Sequence, residues 1–61
     1  MSNRQFVSQE LINLLKGHTR DPNSWGVPCI TRLAQLMGRP VPVTQEEKIA
    51  LINEAYARAG L

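Results

Sequence analysis

Apolar residues recur along the chain at helical spacing, in three blocks separated by polar or proline-rich stretches. In the first block Val7, Leu11, Leu14 and Leu15 stand at the i, i+4, i+7, i+8 positions of one helical face. Phe6 and Ile12 widen that face, while Arg4, Gln9 and Asn13 fall opposite. Ser2 and Gln5 fit a capping box, and Met1 and Phe6 occupy its staple positions. Gly17 stands where a left-handed C-terminal cap belongs, with Lys16 in the last turn to offset the helix dipole. These signals predict a helix over about residues 3–16.

A polar loop over about 17–27 follows. Its Asp21-Pro22 step suits a turn, or one short 3₁₀ turn capped by Asp21. Trp25, the single tryptophan, is expected to lie as a lid on the core. The second block predicts a helix over about 28–37, opened by Pro28 and closed by Gly38. Ile30, Leu33, Ala34 and Met37 form its inward stripe, Cys29 and Leu36 flank it, and Thr31, Arg32 and Gln35 point outward. Pro40 and Pro42 forbid continuation, so 39–43 is expected to be an extended Pro-Val-Pro linker. Thr44-Gln-Glu-Glu47 is a second capping box and starts a helix over about 45–59. Ile49, Ile52, Tyr56 and Ala59 make its expected stripe, broadened by Ala55, with Leu51 to one side. Glu54 and Arg58 form an i, i+4 pair, and Gly60 with Leu61 suits a Schellman ending. That finished cap suggests a complete small protein. The fold expected is all-α, a single three-helix domain spanning 1–61.

Length sharpens this picture. A chain of 61 residues buries only roughly 60% of the surface its unfolded form exposes, so its core is marginal. One cysteine, Cys29, excludes an internal disulfide and points to a reducing compartment, hence the cytoplasm. Association is then the expected supplement, with a protein target or as a homodimer. The apolar residues that a three-helix core need not cover, and that an interface would use, are Phe6, Ile12, Leu36, Val41, Val43 and Leu51. No apolar run approaches a membrane span, and the N-terminus lacks a signal-peptide layout, so no membrane partner is expected.

Catalysis finds no constellation. His18, Asp21 and Ser24 are neighbours in one loop and Cys29 follows, but a nucleophile needs a base and an orienting group at bonding distance. Turn chemistry accounts for Asp21 and Ser24. No enzyme activity, cofactor, metal or small-molecule substrate is expected.

Nucleic acid is the alternative partner. Ala34 and Gly38 have the A-x-x-x-G spacing of helix-turn-helix segments, and a helix follows. Over about twenty residues the chain resembles that pattern, which implies DNA binding. Lys16, Arg20, Arg32 and Arg39 supply a candidate basic surface on a chain of formal charge +2. Two features depart from the pattern: the turn is lengthened by Arg39-Pro-Val-Pro-Val43, and the would-be recognition helix opens on Glu46 and Glu47. Carboxylates there are repelled by phosphates. The expectation is therefore a small non-enzymatic regulator of bacterial or bacteriophage type, with a protein target favoured over a degenerate helix-turn-helix role.

Overall fold

A computed structural model of the chain describes residues 8–61. Among these residues three α-helices follow one another: α1 (Gln9–Lys16), α2 (Val27–Met37) and α3 (Gln45–Ala59), with one 3₁₀ turn at Pro22–Ser24 between the first two. Among the described residues there is no strand, and no helix is long and apolar enough to cross a membrane. The all-α, three-helix architecture expected from the hydrophobic pattern is the one observed.

The first helix is shorter than its periodicity predicts. Ser8 is extended (φ −72°, ψ 152°), and its hydroxyl accepts from the Leu11 amide at 3.1 Å. A serine in that conformation is an N-cap, so α1 begins at Gln9 rather than near residue 3. The Ser2–Gln5 box, the Met1–Phe6 staple and Val7 lie outside the described residues. Gly17 corrects the expectation at the other end: it is right-handed (φ −84°, ψ −1°), and its amide reaches the carbonyls of Asn13 and Leu14. No positive φ is required there.

The other two endings follow the sequence closely. Gly38 (φ 69°) and Gly60 (φ 74°) are left-handed. Arg39 N–H donates to the Ala34 carbonyl at 2.9 Å and Gly38 N–H to Gln35 at 3.2 Å; Leu61 and Gly60 repeat this with Tyr56 and Ala57. Both are Schellman endings, and both need a residue that tolerates positive φ. Helix α2 opens one residue earlier than expected, at Val27, with Gly26 as a cap that offers no side-chain bond.

Among the described residues, eleven side chains form the core: Leu11 and Leu15 from α1, Trp25 from the loop, Ile30, Leu33, Ala34 and Met37 from α2, and Leu51, Ile52, Ala55 and Tyr56 from α3. Leu14, Cys29, Leu36 and Ala59 pack around them, half-buried. Leu36 thus serves the core's edge, and Ile12 is half-buried on α1.

Helix α3 is turned relative to the predicted stripe. Leu51, expected at an interface, is in the core, and Ile49, expected inside, is exposed. At about 100° per residue, the buried face formed by 51, 52, 55 and 56 is centred about 70° from Leu51 and about 90° from Ile49. Both residues are flank positions, and a neighbour decides between them. The 39–43 linker provides that neighbour: it runs beside α3 on the Leu51 side.

Candidate functional site

Among the described residues, two regions where non-helical segments meet α3 carry much of the polar chemistry. The first is the corner where the 17–26 loop meets the C-terminal half of α3. Trp25 is only 1% exposed, and its indole N–H donates to the Thr19 carbonyl at 2.8 Å. The His18 ring stacks on it, with centroids 4.1 Å apart and planes 18° from parallel. From α3, the Tyr56 hydroxyl reaches the carbonyls of Leu15 (2.8 Å) and His18 (3.0 Å). Leu15 also accepts from the His18 amide at 3.1 Å, so the phenol's one proton is shared between two carbonyls around the end of α1 and ties that end to α3. Desolvation by burial pushes the Tyr56 hydroxyl above its ordinary pKa, and the nearby Arg20 charge partly opposes this.

Arg20 completes the corner. Its guanidinium lies over the Tyr56 ring, 4.7 Å from the centroid, and donates to the Leu61 backbone oxygen at 2.7 Å. Asp21 caps the 3₁₀ turn by accepting from the Asn23 amide at 3.0 Å. The Ser24 hydroxyl donates to the Asp21 carbonyl at 2.8 Å and lies 3.1 Å from the Thr19 hydroxyl. His18, Asp21 and Ser24 are therefore occupied in holding the loop's shape. Cys29 sits half-buried on α2, against the core. Among the described residues no group of three His, Cys, Asp or Glu side chains is placed to hold a metal ion.

The second region is an open groove of about 430 Å³ between the linker and α3. Pro40, Val41, Pro42 and Val43 form one wall and Ala50 and Leu51 the other, with Arg39, Glu47 and Glu54 at its margin. Proline fixes φ and removes the amide donor, so the linker cannot coil onto the end of α2 and instead lies extended. The capping box sets how it enters α3. The Glu47 carboxylate accepts from the amides of Val43 (2.9 Å) and Thr44 (3.3 Å), and the Thr44 hydroxyl accepts from the Glu47 amide at 3.1 Å. Those two backbone bonds hold the Glu47 pKa below its ordinary value. At the other end of the groove, Arg39 and Arg58 both donate to one Glu54 oxygen, at 2.5 and 2.9 Å. Val43 is 89% exposed and Val41 45%.

The four candidate basic residues lie on four different segments. Lys16 is exposed at the end of α1. Arg20 belongs to the corner just described. Arg32, on α2, pairs with Glu10 of α1 and reaches the Gln35 side chain at 3.5 Å. Arg39, on the linker, pairs with Glu54. Of the candidate apolar residues, Val41 and Val43 share the groove, Leu51 lines it from within the core, and Ile12 and Leu36 are half-buried on α1 and α2. Phe6 lies outside the described residues.

Pro40, Pro42, Glu47, Ala50 and Glu54 also line the groove and were not expected to. Their signal in the sequence is the adjacency of a Pro-Val-Pro segment to a Thr-x-x-Glu cap, which sends the chain into a helix beside its own approach. No family model, curated protein or solved structure matches this chain.

Proposed function

We propose that this protein is a small non-enzymatic regulatory or accessory module, working in the cytoplasm by binding another macromolecule. A protein surface, either a target or a second copy of the chain, suits it better than nucleic acid. One observation carries this: Val41 and Val43 stand exposed along one wall of an apolar groove between the linker and α3. Burying such side chains in a partner is worth on the order of 1.5–3 kcal/mol each. The total stability of a domain of this size is of similar order, roughly 0.05–0.15 kcal/mol per residue. Docking would therefore change the chain's stability appreciably.

The helix-turn-helix alternative draws less support from the same geometry. Glu46 and Glu47 occupy the first turn of α3, the end a recognition helix presents to DNA. Backbone donors hold Glu47 ionised to lower pH than usual, and three of the four candidate cations already face a carboxylate or a carbonyl. A pair of measurements separates the two. Sedimentation at two concentrations should show self-association, or capture from host extract should yield a protein partner that is lost with Val41→Ser and Val43→Ser together. Titration with random-sequence duplex at low and moderate salt should show no strongly salt-dependent binding. Steep salt dependence that weakens in Arg32→Ala and Arg39→Ala, from a monomer indifferent to the valine changes, would replace the protein-binding proposal with the DNA one.

A further inference from the structure

We draw no further inference here: the strongest candidate, the open apolar groove between the 39–43 linker and α3, already belongs to the proposed docking function, and nothing in the structure shows what covers it.

Discussion

The loop corner and the linker groove are built from similar materials to opposite effect. Each joins a non-helical segment to α3, and each uses an arginine from that segment, Arg20 in one and Arg39 in the other. At the corner the apolar side chain, Trp25, is buried, and its polar atom bonds a carbonyl within the loop. Tyr56 then reaches across 38 and 41 residues of sequence to two more. At the groove the apolar side chains Val41 and Val43 face outward, and polar contacts are confined to the surface. Buried contacts hold the fold together, because losing one leaves a cavity or a desolvated polar group without its partner. Exposed ones hold a shape without consuming the surface. The difference predicts that changes at the corner are felt as stability and changes at the groove as binding.

Trp25→Ala should have the largest effect. Truncating a buried aromatic costs about 3–5 kcal/mol, which is comparable with the whole stability expected of a 61-residue chain. The variant should be largely unfolded at 25 °C by circular dichroism. A cooperative melt within a few degrees of the parent would show that the corner does not hold the fold. Tyr56→Phe is gentler, since it keeps the ring under Arg20 and removes only the hydroxyl. The His18 carbonyl loses this donor, the Leu15 carbonyl keeps only the His18 amide, and the expected loss is about 1–2 kcal/mol in denaturant unfolding. The same group gives a sign at high pH. Its folded pKa is raised, so its contribution is complete below the ordinary tyrosine value and declines as pH rises past about 10. Tyr56→Phe should abolish that part of the alkaline loss.

The corner also shows how much of the fold was legible in the sequence. Burial of Trp25, the 3₁₀ turn at Asp21-Pro22, the α2 stripe and both Schellman endings follow from local rules: spacing, a proline, a glycine. What was not legible depends on partners distant in sequence. A two-sided helix such as α3 does not announce which flank a neighbouring segment will cover, so Leu51 and Ile49 exchanged roles. The start of α1 is ambiguous in the sequence because Ser2 and Ser8 both precede helix-compatible residues, and Ser8 forms the cap in the structure. The basic residues were visible as charges, but their ion pairs with Glu10 and Glu54 arise only when α1, α2, the linker and α3 are assembled.

At the groove, the capping box should give an intermediate effect. Thr44→Ala removes the acceptor for the Glu47 amide and is expected to cost about 1 kcal/mol. Acid should act on the same element. The folded pKa of Glu47 is depressed, so its contribution is complete above the ordinary glutamate value, about 4.3, and is lost as pH falls through the lowered one. Relative to its intrinsic rate at each pH, amide exchange at Val43 and Thr44 should accelerate over that range in the parent. In Glu47→Gln it should already be faster at neutral pH and change less on acidification. Equal acid sensitivity in the two proteins would mean that some other carboxylate governs the start of α3.

The smallest expected effect on stability is at Val41 and Val43, and it sharpens the comparison most. Val43 is almost wholly exposed, and Val41 keeps nearly half of its surface in water. Replacing both by serine removes little buried area and should leave the melting temperature within the change that about 0.5 kcal/mol produces. Neither residue is in the core or in a cap that the substitution removes, because the Val43 amide that bonds Glu47 is backbone and survives. A protein that melts normally but no longer self-associates or captures its partner would place binding at the groove, with folding held at the corner. Unchanged association would move the docking surface elsewhere. A large loss of stability would mean that the valines support the fold, and the division of labour between the two regions would have to be abandoned.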